Sequence, residues 1–351
     1  MEFAPLEGVG VMRRFPLQMI AEICFMIATV ASCARAATET PDAQTEGAAA
    51  QKLIVVVGAS GTPEFAPLFR QWAERWSQAA KTGKAECQII GLEPPQSGQK
   101  PERELLQTAI ESHAGEARKP LWIVLIGHGT FDGKTARFNL TGADVSSKEL
   151  AKWLSNINSP LAIIDCSACS GPFLAELSGP RRVIITATRT GSERNFAHFG
   201  DFLSSAIADS SADLDKDAQT SLFEAYLKAN SLLREFYTDA GRLATEHALL
   251  DDNGDRQGTP ADWFQGLRPT KSAKAGAAID GDFARRFVLV PSPSEQLLSS
   301  ADREKRDALE LRLADLRKRK GQLSEEEYLA QLEPLAIELA RLSQNKHDNQ
   351  K

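Results

Sequence analysis

Short apolar runs alternate along this chain with longer stretches whose apolar residues recur at helical spacing, and few folds accommodate that alternation. The runs are Leu53 to Val57, Cys87 to Ile90, Leu121 to Ile126, Leu161 to Ile164, Val183 to Ala187 and Phe287 to Val290. Each is continuous rather than alternating, the mark of a strand buried on both faces. Between them lie Phe65 to Ala79, Glu102 to His113, Ser147 to Ile157 and Phe196 to Ala208, which read as amphipathic helices. Strand followed by helix, repeated, predicts an α/β domain: a mostly parallel, six-stranded sheet with helices on both faces, because right-handed crossovers lay each helix over the sheet it leaves.

The ends of the chain read differently. Met12-Arg13-Arg14 followed by the apolar run Ile23 to Val30 is expected to direct export, with Met12 as initiator. Ala34-Arg35-Ala36 offers a cleavage site before Ala37, whereas Val30-Ala31-Ser32-Cys33 resembles a lipobox that would anchor the protein by lipid at Cys33. Both readings place the chain outside the cytoplasm, periplasmic or secreted in the first case and lipid-anchored in the second; Gln18 and Glu22 interrupt the pattern and keep open a third, a cytosolic protein whose N-terminus only resembles an export segment. The expected organisation is an export segment over 1–36, a linker over 37–50, the α/β domain over 51–292, and a helical hairpin with a polar tail over 293–351. The hairpin is broken at Gly321-Gln322-Leu323-Ser324, where Ser324 and Glu327 have capping-box spacing. Its charged, heptad-like pattern suits packing on the domain or self-association with a second copy.

Charge excludes some partners. The 41 basic and 47 acidic side chains, without long runs, leave a net charge of -6, so neither nucleic acid nor an anionic membrane surface is an expected partner. The apolar run near the start is too short to cross a bilayer, and no transmembrane helix is expected in the mature chain. Three of the five cysteines, Cys87, Cys166 and Cys169, fall within the expected domain. An odd number in an oxidising compartment leaves at least one thiol free.

In open parallel sheets, ligands bind beyond the carboxyl ends of the strands. One run ends in Gly127-His128-Gly129-Thr130 and the next in Asp165-Cys166-Ser167-Ala168-Cys169-Ser170-Gly171, delivering an imidazole and a thiol onto neighbouring strand tips. That pair suits acyl transfer: the thiolate of Cys169 attacks a carbonyl, and His128 acts as general base and then general acid. The amide N–H groups of Gly129 and Cys169 are the expected oxyanion donors. Cys166 is an alternative nucleophile, and Cys166-x-x-Cys169 also has the spacing of a redox dithiol. Cys169 is preferred because it opens the glycine-bearing turn, whereas Cys166 continues the strand. Cys87, in a short apolar run, reads as a core residue. His113, His198 and His247, placed on helical stretches, read as structural.

These segments resemble the clan of cysteine peptidases that contains caspases, metacaspases, gingipains and legumains. Gly127-His128-Gly129 is similar to the clan's histidine motif, and Ala168-Cys169-Ser170-Gly171 fits its Ala-Cys-x-Gly pattern. Thr186 to Ala197 is similar to the legumain stretch that shapes the pocket for the residue before the cut, which implies substrate-binding roles for Arg189, Ser192 and Glu193, with Arg194 beside them. The resemblance implies a caspase-like three-layer sandwich, and peptide-bond hydrolysis through a thioester on Cys169 with a protein or peptide as substrate. Cys166-Ser167 departs from the acidic or amide residue that many relatives carry before the nucleophile's pair. A catalytically silent scaffold of the cell envelope is the rival from a different class. Because Arg189, Ser192, Glu193 and Arg194 mix both signs, the preferred residue before the cut is not legible.

The chemistry requires no cofactor, but one segment has calcium spacing. Asp213, Asp215, Asp217 and Glu224 stand at positions 1, 3, 5 and 12 of an EF-hand-like loop, with Ser221 at 9 and Ala218 in place of the glycine at 6. A calcium loop and a solvated acidic helix start both fit this segment. Asp251-Asp252-Asn253-Gly254-Asp255 is a second acidic turn, with Arg256 at position 6 and Asp262 at 12.

Overall fold

The computed structural model describes residues 51–94, 97–273 and 278–348. The expected export segment, the linker to residue 50 and Cys33 lie outside the described residues. In chain order the elements are β1 (Lys52–Val57), α1 (Phe65–Thr82), β2 (Glu86–Ile90), α2 (Glu102–Glu111), β3 (Leu121–Ile126), a small antiparallel sheet of β4 (Gly129–Phe131), β5 (Ala136–Phe138) and β6 (Val145–Ser146), α3 (Ser147–Trp153), β7 (Leu161–Asp165), α4 (Gly171–Leu177), β8 (Arg182–Thr186), α5 (Phe199–Ala206), α6 (Leu222–Asp239) and β9 (Leu249–Asp251). A two-stranded hairpin, β10 (Phe264–Gln265) and β11 (Arg268–Pro269), and the short α7 (Pro293–Gln296) precede α8 (Ser300–Lys318) and α9 (Glu325–Asp348).

The central sheet has six strands in the order β2-β1-β3-β7-β8-β9. Every pairing is parallel except β8 with β9. Alternate residues serve opposite faces, as the strand period requires. Leu53, Val55, Trp122, Val124, Ile164 and Ile185 pack under α1, α5 and α6 against Trp72, Trp76, Phe199 and Tyr226. Ile54, Val56, Ile123, Leu125 and Ile163 pack under α2, α3 and α4 against Leu106, Leu150 and Phe173. The domain is therefore the expected α/β sandwich of helix, sheet and helix layers.

One expected strand is not in the sheet. Phe287 and Leu289 are buried as the apolar pattern requires, but the sixth strand is Leu249–Asp251, antiparallel to β8. The segment 287–290 instead crosses the amino-terminal end of the sheet. The Phe287 carbonyl accepts from the Leu222 amide at 2.7 Å, the Val288 carbonyl accepts from Gln51 Nε2 at 2.8 Å, and the Phe287 ring meets Trp122 edge-on at 5.3 Å. Burial dictates an apolar pattern whether or not the backbone finds a ladder partner, so the pattern alone reads such a segment as a strand.

The carboxyl-terminal helices form the expected hairpin. Ser324 and Glu327 complete the capping box: the Ser324 amide donates to Glu327 Oε2 at 3.0 Å and the Glu327 amide to Ser324 Oγ at 3.3 Å. Leu309, Leu316, Leu335 and Leu342 are buried between the helices. Arg303 and Arg306 anchor the hairpin to Glu295 just before it. No helix among the described residues is long and apolar enough to cross a membrane.

Because Phe287 seals the lower edge of one core layer, Phe287→Ala should cost about 3–5 kcal/mol through lost burial and the cavity left behind. Urea unfolding should show a lowered midpoint; a midpoint unchanged from the parent would mean that the segment does not close the core.

Candidate functional site

Four loops meet where the central strands end. They follow β1 (Gly58 to Gly61), β3 (Gly127 to Gly129), β7 (Cys166 to Ser170) and β8 (Ala187 to Phe196). Glycines permit the approach. A Cβ on Gly129 would stand 2.2 Å from the Ala168 carbonyl oxygen and 2.7 Å from Ser167 Oγ, so only glycine lets the His128 loop rest on the Cys169 loop. A Cβ on Gly171 would meet the Arg189 carbonyl carbon at 2.4 Å, which brings the loop after β8 against the same turn. Ser170 and Thr188 lock that contact: their hydroxyls lie 3.1 Å apart, the Thr188 amide donates to Ser170 Oγ, and the Gly171 amide donates to Thr188 Oγ1.

His128 is oriented from both sides. Its Nε2 lies 3.1 Å from the Ser60 carbonyl oxygen. A carbonyl can only accept, so Nε2 carries the proton and Nδ1 keeps the free lone pair. Phe65 and Phe69 meet the imidazole edge-on, with centroids at 4.7 and 5.3 Å, and Phe196 completes the enclosure at 5.9 Å. The ring therefore presents one basic nitrogen from a fixed position. The Ser60 carbonyl and Phe196 had no separate signal in the sequence; they become visible only when the loops are assembled.

Cys169 has a backbone φ of 58°, the left-handed region that side chains other than glycine rarely adopt. Such strain persists only where the surroundings over-determine it. Here the Cys169 amide donates to the Glu193 carbonyl at 2.9 Å. This arrangement engages the N–H expected to serve the oxyanion, leaving Gly129 as the remaining expected donor. The residue is 3% exposed. Burial pushes its thiol pKa up, Arg194 nearby pulls it down, and Asp165 pushes it up again. The thiol is thus protonated at neutral pH in this arrangement, and forming a thiolate requires a base.

Cys166 is a core residue. Its amide continues the ladder to the Leu125 carbonyl at 2.9 Å, its side chain is 1% exposed, and its Cβ packs on Gly200 under α5. Burial raises its thiol well above the ordinary range. Cys87 is half-buried on β2 at the sheet edge, and all three described cysteines are free thiols.

Asp165, at the carboxyl end of β7, was legible as part of the cysteine motif but carried no role. It is 1% exposed; its Oδ1 accepts from the Ser167 hydroxyl at 2.6 Å and the Ser167 amide at 2.9 Å, while Oδ2 has no partner. Burial pushes its pKa up to about 7, opposed by the two Ser167 bonds. Asp165 holds the turn that leads to Cys169, and its charge acts on both nearby thiols.

The pocket residues divide. Arg189 and Ser192 are exposed, as is Arg194. The Glu193 side chain is occupied: Oε2 accepts from the amides of Arg189 at 3.0 Å and His247 at 3.1 Å, and Oε1 lies 2.9 Å from His247 Nδ1. Glu193 therefore closes its own loop onto His247. That histidine sits on the loop before β9, not on a helix as expected. His113 follows α2 and His198 precedes α5, where both bear on structure. His113 Nε2 reaches the Lys119 carbonyl at 2.9 Å and Ser159 Oγ at 3.2 Å.

The acidic loop folds around its own backbone. Asp213 accepts from the amides of Lys216 and Ala218, and Glu224 accepts from those of Leu214, Asp215 and Ser221. Ala218 has φ 69°, the conformation for which glycine is expected at this place. Carboxylate oxygens of Asp213, Asp215 and Glu224 lie within 4.8 Å of one another, but Asp217 is outside that cluster and bonds to Gln219. Burial first, then Asp217 and Glu224, push Asp215 up to about 6. The second turn has the same local pattern, with Asp251 accepting from Gly254 and Arg256. Its neighbour Asp252 is consumed by the amides of Gly281, Phe283 and Ala284.

No family model and no curated protein matches the chain. Among solved structures it is similar to the Drosophila initiator caspase Dronc, at 12% identity and a TM-score of 0.35, with 60% of this chain and 84% of that one covered. It is similar to caspase-1 from Spodoptera frugiperda at 9% identity and a TM-score of 0.36, covering 58% and 86%. Protein GSU0716 from Geobacter sulfurreducens gives 13% identity and a TM-score of 0.30, covering 44% and 80%. At these values no residue's role passes from those proteins to this one.

The buried acid makes stability depend on pH. Asp165 has a folded pKa raised to about 7 from an ordinary 3.8. Between those values the folded state binds the extra proton, so stability is highest below the lower one and falls as pH rises through the upper. Asp165→Asn mimics the protonated acid. Its thermal midpoint should match the parent near about pH 3, below both values, and exceed it near about pH 8. Equal offsets at both pH values would refute the assignment.

Proposed function

We propose that the protein is a cysteine peptidase in which Cys169 is the nucleophile and His128 the general acid and base. The observation that carries this reading is the left-handed backbone at Cys169, on a turn pinned by Glu193 and pressed against the glycine that follows His128. A strained, over-determined cysteine on a turn packed against the loop of an oriented imidazole is an arrangement a core thiol does not need.

The reaction follows from the groups available. Nδ1 of His128 takes the Cys169 thiol proton, and the sulfur adds to the scissile carbonyl carbon. The Gly129 amide is the proposed donor to the oxygen as it becomes negative. The carbon–nitrogen bond then breaks, and the imidazolium proton goes to the departing amine, leaving a thioester. Water, deprotonated by the same nitrogen, adds to the thioester and expels the thiol. Arg194 is the neighbouring cation that favours the thiolate, and Asp165 opposes it. Arg189 and Ser192, exposed on the loop after β8, are the proposed contacts to substrate.

A second reading has its own support. The 3% exposure of Cys169 and its engaged amide describe a closed turn, as a silent binding protein would have. The two readings separate by labelling. A peptide bearing a thiol-directed electrophile should modify the parent and Cys166→Ala, but not Cys169→Ala, and His128→Ala should slow modification by about a hundredfold or more. Loss of labelling in Cys166→Ala alone would move the nucleophile. Absence of labelling in the parent would favour the binding protein.

The same proposal includes calcium at Asp213, Asp215 and Glu224, supported by their convergent oxygens. Millimolar calcium, on the order of a weak extracellular site's affinity, should raise the parent's thermal midpoint and leave Asp215→Asn unmoved. A parent midpoint indifferent to calcium would exclude the site.

A further inference from the structure

A groove of about 740 Å³ runs beside the candidate site. Its floor is the second half of α6 and the segment before β9, its far wall is the chain from Pro260 to Gly266, and Arg189 and His247 belong to both groove and site. The sequence offers mixed signs here, and the acids have their oxygens engaged within the fold. Glu193 is spent on the amides of Arg189 and His247 and on the His247 ring. Glu246, 2% exposed, accepts from the amides of His198 and Phe199 and from the Tyr237 hydroxyl. Asp262 is bonded to Lys271 at 2.6 Å.

The cations are not spent. Among the described residues Arg189, Arg234 and Arg242 form no ion pair, and Arg234 touches only the Ser231 hydroxyl at 3.3 Å. Lys228 also lines the groove. The chain as a whole carries a net charge of -6, so Arg189, Lys228, Arg234 and Arg242 against Glu246 and Asp262 in one groove are a local excess against the protein's own balance. Guanidinium forks match carboxylates in a way a point charge does not. Leu243, 90% exposed at the groove edge, adds an apolar contact beside them.

We infer that this groove takes an acidic, extended peptide segment and leads it past Arg189 toward Cys169. The inference deepens the peptidase reading by naming its substrate class, and depends on that reading for cleavage alone, not for binding.

The test uses the full chain carrying Cys169→Ala and fluorescent octapeptides of alternating Ala with Glu, Gln or Lys, followed by anisotropy. The Glu peptide should bind about tenfold or more tightly than the Gln peptide and weaken as salt rises. Adding Arg234→Glu and Arg242→Glu should remove that preference, about tenfold or more in affinity. Equal binding of Glu and Gln peptides, or indifference to the arginine variants, would overturn the inference. So would a single-stranded oligonucleotide that displaces the Glu peptide at lower concentration than unlabelled Glu peptide does. Electrophile labelling of the parent protein keeps the two claims apart. Selective binding with no labelling of Cys169 retains the groove and refutes the peptidase, whereas labelling without acidic preference does the reverse.

Discussion

The close approach of Gly129 to the Ala168 carbonyl is the contact on which the site depends. It joins the end of one central strand to the end of the next at a separation that any side chain would prevent. The parallel sheet makes such a contact available. Adjacent strands run the same way and end on the same rim, so successive loops share that rim even though helices lie between them in sequence. Both faces of the sheet are covered by packed helices, and that burial holds the rim rigid enough to keep Cys169 in its left-handed conformation.

Around the contact, polar groups are arranged in opposition. Arg194 favours a Cys169 thiolate while burial and Asp165 disfavour it. His128 is confined by aromatic rings and by the Ser60 carbonyl, which leaves Nδ1 as its basic atom. Glu193 ties the strained turn through its backbone and its own loop through its side chain. The same residue reaches His247 at the edge of the arginine-lined groove, so the site and the groove share a structural joint.

Much of the fold was legible because burial leaves a period in the chain. Five of the six central strands coincide with continuous apolar runs, and the helices between them with amphipathic spacing. The failure is informative: Phe287 to Val290 has the apolar content of a strand, yet its backbone bonds go to Leu222 and Gln51. The strand that completes the sheet, Leu249–Asp251, is too short and too acidic at its end to announce itself. The loop before it misled in the same way, placing His247 on a helix that does not form.

What the sequence by itself determined is the alternation of elements and the identity of the residues that end each strand, because hydrophobic burial and strand termini are local properties. It therefore brought His128, Gly129 and Cys169 to one rim. What only the tertiary structure decided is which charges remain free there. Ion pairing and hydrogen bonding join residues far apart in the chain, such as Glu193 with His247 and Glu246 with the amides of His198 and Phe199, and no spacing rule reveals them. Among the mixed signs of the loop, Glu193 turns out to be engaged within the fold, whereas Arg189 and Arg194 stand exposed.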